Sequence, residues 1–529
     1  MNTFYLIWRN QYIRKLIRNL VCRDQVICVN DGYLNDNHQY LSVFTDKDKI
    51  DYNISIRFID NSEFYFKNQH RSIINDLDFY LYSPDRVNCN HVDFNQFTGF
   101  ELHRLSLQIN CNTVGSGPLP ESLTELFLDT SDYSESAPIV LHILSHLPCN
   151  LKTLKIPIEI IISEPVVVPD SLTSLEYYGK YESLQWVVVP PNKVFSGCQL
   201  QIDSVGALEW LKENKWVDTI YFYNYIQLDS NTMIPDHVRS IQDRGNVNLE
   251  QHRLPSMLQE LICRETIPSQ LSHLKILTLT HPIAKLEKNQ LPASLEHLDI
   301  HYSQPLDAGV LPPNLTKLYL YTFDQILGVG VLPPNIKYLN MPVFNQPLMS
   351  SVLPTNLLEL SIYSFDQPLL PHVLPSNLQI LRMLIFDQPT LPAHSLPNSI
   401  VELYLNSFKG SILCKPLDHL KRLQLHSLHQ SVSTLLQNVK RLSLKLQKTN
   451  DVLGTCLANT RIEKLCLDCH SESCLYPNSL PPTLKSLTLS NIDIQAKGTI
   501  PNSCVDLTSL DRELNPAFIP TSVKYSLIK

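Results

Sequence analysis

FDQILGVGVLPPNIKYLN (323–340), FNQPLMSSVLPTNLLELSI (344–362) and FDQPLLPHVLPSNLQILRM (365–383) are three versions of one unit. On either side of them it continues as YSQPLDAGVLPPNLTKLYL (302–320) and FDQPTLPAHSLPNSIVELYL (386–405). Aromatic anchors fall at Tyr302, Phe323, Phe344, Phe365, Phe386 and Phe408, in steps of 21, 21, 21, 21 and 22 residues. Leu-Pro falls at Leu311, Leu332, Leu353, Leu374 and Leu396. Self-similarity at this period predicts a solenoid, in which each unit buries its apolar face against its neighbours.

The L-x-x-L-x-L core, read at Leu315, Leu318, Leu320 and at Leu357, Leu360, Ile362, extends the pattern far beyond the centre. The same spacing stands at Leu102, Leu105, Leu107 and at Leu484, Leu487, Leu489. Its middle position recurs at 105, 126, 154, 175, 200, 220, 241, 261, 277, 298, 318, 339, 360, 381, 403, 423, 442, 465, 487 and 507, always Leu except Ile220 and Ile241. That makes about twenty units. Alternation over Leu318-Tyr319-Leu320-Tyr321 predicts a half-buried strand with its leucines inward. The Leu-Pro-x-Asn/Ser step before it reads as a turn whose short polar side chain bonds its own backbone. The Phe-Asp/Asn-Gln-Pro step after it supplies a ring that can stack on the ring one unit away. What remains of each unit is too short and too proline-rich for a long helix, so successive strands should pair in parallel.

These motifs resemble FNIP repeats, a relative of the leucine-rich repeat. The resemblance is strong over 302–408, recognisable from about 100 to 527 and absent before about 94. It implies a horseshoe-like solenoid with a parallel sheet on its concave face and short turn-rich convex segments, and a role in protein interaction rather than an activity. Asp324, Asp366 and Asp387 stand where the family has Asn, which argues against a continuous side-chain amide ladder along that edge.

Two regions depart from the repeat. SVGALEWLKENKW (204–216) reads as a helical insertion, either an enlarged return path of one unit or a boundary between two sub-arrays. Residues 1–93 read as a small α+β unit ahead of an array spanning 94–529. In it FYLIWRNQYIRKLIRNLV (4–21) is an amphipathic helix, and YNISIRFI, EFYFK and DFYLYS within 52–83 are three strands. The helix should dock on its own domain or cap the first repeat; recruiting a partner and lying on a membrane surface are the other readings.

The 529 residues exceed one ordinary core, which suits a repeat array. Lys+Arg 43 against Asp+Glu 51 gives a net charge of 43 − 51 = −8 with no basic tract, so nucleic acid is an unfavoured partner. No run of 18 apolar residues and no secretory signal is present, and the 13 cysteines are scattered. A cytoplasmic protein with reduced thiols is the expectation, and a membrane partner is not.

Cys466-Leu-Asp-Cys469-His470 matches a haem-attachment string, with Cys474 nearby for a metal cluster. In the repeat frame Cys466 faces outward between Leu465 and Leu467 while Cys469 and His470 enter the turn, so neither cofactor is expected. His297, Asp299 and His301 share one outward strand face, where a solvated or partner-contacting role is ordinary. No Walker loop, G-x-S-x-G or H-E-x-x-H occurs. The chain is therefore expected to be no enzyme, the alternative being an unrecognised catalytic site in its first 100 residues. The candidate protein-binding residues are outward strand positions: Tyr319, Tyr321, Tyr338, Tyr363, Arg382, Tyr404, Arg422, His426, Arg441 and Lys445. Tyr and Arg dominate binding hot spots, and the stretch from Arg382 to Lys445 leans basic. The expected function is a protein-interaction scaffold or adaptor working through the concave face.

Overall fold

The computed structural model describes residues 10–60, 62–80, 91–97, 99–109, 113–130, 137–158, 160–223, 233–243, 247, 249, 254–265, 267, 271–447 and 457–527. They form two compact units, Met1–Pro255 and Ser256–Lys529. Each is wound as a parallel β-solenoid.

In the second unit the strands stand where the leucine spacing puts them. Lys317–Leu320 pairs in parallel with His297–His301 on one side and Tyr338–Asn340 on the other. The register sets Leu298, Leu318, Leu339, Leu360, Leu381, Leu403 and Leu423 side by side. Each is 1% exposed or less. All twenty middle positions of the repeat are buried, in both units. From the other side of each turn Leu327, Leu348 and Leu369, with Val331, Val352 and Val373, close the core.

The aromatic anchors form a continuous stack inside. From Tyr302 to Phe408 successive ring centroids lie 6.5, 6.3, 6.4, 6.2 and 5.7 Å apart. The three central pairs are within 5° of parallel. Hydrogen-bonded strands repeat at only about 4.8 Å. The turn side is thus spaced more widely than the sheet side, and this stretch curves with its sheet on the inner face.

Beside the rings runs a ladder that the sequence argued against. The Asp324 carboxylate accepts from the Asn345 N–H at 2.8 Å and the Gln346 amide at 3.0 Å. Asn345 Oδ1 accepts from the Asp366 N–H at 2.8 Å and the Gln367 amide at 3.3 Å. Asp366 does the same for Asp387 and Gln388, and Asp387 for Lys409. The rung uses only the side-chain oxygen, so aspartate serves as well as asparagine. The Leu-Pro-x-Asn step also differs from expectation. A turn does form there, with the Leu315 and Leu357 N–H groups donating to the Pro312 and Pro354 carbonyls. Its asparagines, however, bond the preceding unit: Asn314, Asn335, Asn356 and Asn377 donate to Ala293, Pro313, Pro334 and Thr355 carbonyls at 3.0–3.2 Å.

A backbone requirement ahead of each Leu-Pro explains two glycines. Gly309 and Gly330 have φ of 80° and 77°, and Ser351, His372 and His394 occupy the same place at 65°, 60° and 63°. The left-handed conformation is open to glycine and strains the others.

Away from the centre the register slips. Leu423 lies beside Leu444 rather than Leu442, which pairs instead with Leu465. In the first unit Leu200 lies beside Gly179, not Leu175. The returns before these strands carry extra structure, helical at Val432–Leu435 and at Tyr181–Leu184, which moves the next strand along. A helix, Val205–Glu213, occupies the return between Cys198–Ile202 and Thr219–Phe222, which pair directly.

The ladder of the first unit begins upstream of the expected array. Val26–Val29, Ser55–Phe58, Asp76–Tyr80 and Arg104–Ile109 pair in parallel order. Of the three strands expected here two form, whereas EFYFK lies in the helix Ser62–Lys67. Parallel neighbours need a return between them, and that segment supplies it, burying Tyr65 against Phe58, Phe79 and Phe97 at 5.4–6.1 Å.

Residues 4–9 of the expected N-terminal helix lie outside the described residues; the helix is described over Gln11–Val21, capped by Asn10. It is held through Asp48, whose side chain is 7% exposed and lies 3.0 Å from Lys15 Nζ. Asn19 Nδ2 and Thr45 Oγ1 donate to the same carboxylate at 2.8 and 2.7 Å. Burial works to raise the Asp48 carboxyl, but the bonds from Thr45, Lys15 and Asn19 outweigh it and hold it at about 2.

Two outcomes follow from these contacts. Asp366→Asn should leave stability within about 0.5 kcal/mol. Asp366→Leu strands the Asp387 N–H, the Gln388 amide keeping its bond to the Asp366 carbonyl, and should cost about 1–3 kcal/mol by urea unfolding. Equal losses in the two variants would contradict the acceptor-only ladder. For Asp48 the folded pKa is depressed, so its stabilisation is complete above the ordinary value of 3.8 and fades as the pH falls through about 2. Asp48→Asn should lose about 2 kcal/mol at pH 7, a deficit that shrinks toward zero in acid. A pH-independent deficit would show that the charge is not what holds the helix.

Candidate binding surface

Alternate residues of each strand leave the core and form columns across the strands on the solvent side of the sheet. One column reads His297, Lys317, Tyr338, Glu359, Ile380, Glu402 and Arg422. Its neighbour reads Asp299, Tyr319, Asn340, Ser361, Arg382, Tyr404, Gln424 and Lys445. Tyr321, Tyr363 and His426 lie two residues further along their chains and are half-buried.

The aromatic part is a contiguous patch. His297 and Tyr319 rings lie 5.3 Å apart, His301 and Tyr321 4.9 Å, and Tyr319 and Tyr321 6.5 Å. Lys317 Nζ sits 5.5 Å from the Tyr338 ring centre, and the Arg382 guanidinium 5.1 Å from that of Tyr404. Burial pushes the phenols of Tyr319, Tyr321 and Tyr404 up, with nearby carboxylates adding to the effect. These rings remain neutral, hydrogen-bonding and partly desolvated, as partner-contacting tyrosines are.

The expected basic stretch is neutralised strand by strand. Arg382 pairs with Glu359, Arg422 with Glu402 at 2.8 Å, and Lys445 with Asp468 at 2.9 Å. Tyr404 Oη also donates to Glu402 at 2.8 Å. Arg441 instead lines a groove of about 720 Å³ at the start of the strands, beside Asp418, Lys421 and Lys440. The ten candidate residues are thus brought onto one side of one sheet, but as a tyrosine patch with ion-paired arginines rather than as a basic surface. Asn340, Ser361, Gln424 and Asp468 share the lattice, though they are not among the expected contacts. Their signal was strand parity alone, since none is aromatic or basic.

The other candidates resolve by face. Cys466 faces the solvent side, but Cys469 is buried within the strand Lys464–Leu475, level with Leu446, rather than in a turn. His470 is exposed in the same strand. With Cys466 and Cys469 on opposite faces, one metal or haem cannot take both. Among the described residues no three His, Cys, Asp or Glu side chains are placed to hold a metal ion. Among the described residues of the first 100, two groups buried in the fold are shifted upward. Burial lifts the Tyr65 phenol to about 12, and it raises the Asp76 carboxyl despite Arg57 at 2.9 Å.

The N-terminal helix leaves part of its apolar side exposed, with Ile13 and Leu16 half-buried. Lys15, Arg18 and Asn19 dock it, with Arg18 also 4.6 Å from the Phe44 ring centre, whereas Tyr12, Ile17, Leu20 and Val21 are 73, 41, 51 and 73% exposed. No described helix is long and apolar enough to cross a membrane.

Comparison with known proteins falls on the same units. No curated protein sequence matches the chain. The FNIP Repeat family matches residues 302–342 and 344–383. Among solved structures, the circular leucine-rich-repeat protein CroV588 is 18% identical, covering 96% of this chain and 89% of its own, with a TM-score of 0.43. YopM from Yersinia enterocolitica WA-314 is 18% identical over 80% of this chain and 87% of its own, with a TM-score of 0.34. The mouse RP105/MD-1 complex gives 14% identity over 82% of this chain and 89% of that one, with a TM-score of 0.40. The family match covers the units whose rings stack from Tyr302 to Phe365, so residues 302–383 are FNIP repeats wound as turns of a parallel solenoid.

Proposed function

We propose that this chain is an intracellular scaffold that binds a protein partner across the solvent side of its sheet, centred on Tyr319, Tyr321, Tyr338 and Tyr363. The observation that carries the reading is the patch itself. Large amphipathic rings, held by the strand register, sit partly desolvated on a rigid sheet, the arrangement in which tyrosine contributes most to association. Ion pairing of Arg382 and Arg422 within the sheet supports a surface that recognises shape and hydrogen bonding more than net charge. The test is a photo-crosslinking amino acid placed at Tyr338 or, as control, at Ile326, which is 71% exposed on the turn side. Partner adducts should form at least about fivefold more at 338; equal yields at the two positions would sink the proposal.

A second reading concerns recruitment through the helix Gln11–Val21. The exposed part of its apolar side favours a second partner over a capping role, because a cap would bury it. Ile17→Ser with Leu20→Ser should leave stability within about 0.5 kcal/mol and remove that partner from affinity capture. Lower thermal stability with unchanged capture would return the helix to capping.

A further inference from the structure

Several acids facing this side of the sheet in the second unit are matched by cations. Glu359 has Arg382, Glu402 has Arg422 and Asp468 has Lys445. Asp299 has no ion pair among the described residues. Its Oδ2 receives the Tyr321 hydroxyl at 3.3 Å, a long bond for an O–H donor, and its Oδ1 is buried with no hydrogen-bond partner. Lys317, on the neighbouring strand, is turned to the Tyr338 ring. Across Tyr319 in the same column, Asn340 Oδ1 is a second buried acceptor with no partner. Burial pushes the Asp299 carboxyl up, so the group stands to gain from a cation. Around it stand the His301, Tyr319 and Tyr321 rings.

Resting on the sheet-face reading above, we propose that Asp299 is the anchor point for an arginine side chain of the protein partner, its guanidinium taken by the carboxylate and stacked on Tyr319 and Tyr321. The corner offers acceptors and ring faces, the complement of a planar cation with five donors. Neutral or acidic side chains would leave Asp299 buried and unpaired. Entry requires Tyr321 to leave its long bond to Oδ2, which frees that oxygen for the guanidinium.

The test is selection of random dodecapeptides on the intact protein, with Asp299→Asn, a variant of the same shape, as comparison. Pools selected on the wild type should be enriched in arginine at one position, and enrichment should vanish on the variant. A selected peptide should bind about tenfold more weakly to Asp299→Asn, and about tenfold more weakly when its arginine is replaced by citrulline, by fluorescence anisotropy. A melting temperature unchanged from wild type shows that the variant is folded. Recovery no better than on a blank surface, or arginine enrichment equal on both proteins, overturns the proposal. Peptides lacking arginine that crosslink at Tyr338 would remove the anchor while leaving the sheet face as the binding surface. Arginine peptides that crosslink only on the turn side would remove both.

Discussion

Parallel pairing imposes the constraint on which the rest depends. Each strand must be followed by a path that carries the chain back to the same end, and in the central units that path has a constant length. Equal returns stack equal side chains, so a leucine meets a leucine and a ring meets a ring for six successive anchors. Burying one such ring stabilises by about 1.5–3 kcal/mol, and a continuous stack repeats that gain in every turn. Where the return lengthens or gains helix, before Leu444 and Leu200, the register moves with it.

The same constancy turns individually weak features into continuous ones. A single side-chain oxygen accepting from the next unit contributes little. Repeated through Asp324, Asn345, Asp366 and Asp387, it satisfies backbone donors that would otherwise be stranded at the turn. The Asn314, Asn335, Asn356 and Asn377 bonds do the same along the Leu-Pro edge. Both ladders join one unit to the next rather than a unit to itself, which is why no unit is stable alone.

On the solvent side, regular strands make a lattice, and function is a question of what stands at its points. Charged points pair between neighbouring strands, Arg422 with Glu402 and Lys445 with Asp468 directly opposite and Arg382 with Glu359 on the diagonal. Asp299 and the tyrosine patch stand apart because their hydrogen-bonding and ring surfaces are not consumed within the fold. The helix Gln11–Val21 shows a related inversion, docking by its polar side and leaving part of its apolar side available.

The 21-residue period by itself determined the strands, their direction, the buried leucines and the stacked rings, because in a solenoid neighbours in space are neighbours in the repeat. It also determined which side of the sheet Tyr319, Tyr338, Arg382, Tyr404 and Arg422 would face. It did not determine what those residues touch. Pairing of Arg382 with Glu359 depends on a diagonal between strands, and rotamers choose that diagonal. Acceptance by Asp324 depends on which atom of the side chain the ladder uses. EFYFK became helix, and the register slipped at Leu200 and Leu442, because local alternation carries no information on the path between parallel strands. Those were settled by tertiary structure, where the length and packing of each return decide how far along the next strand begins.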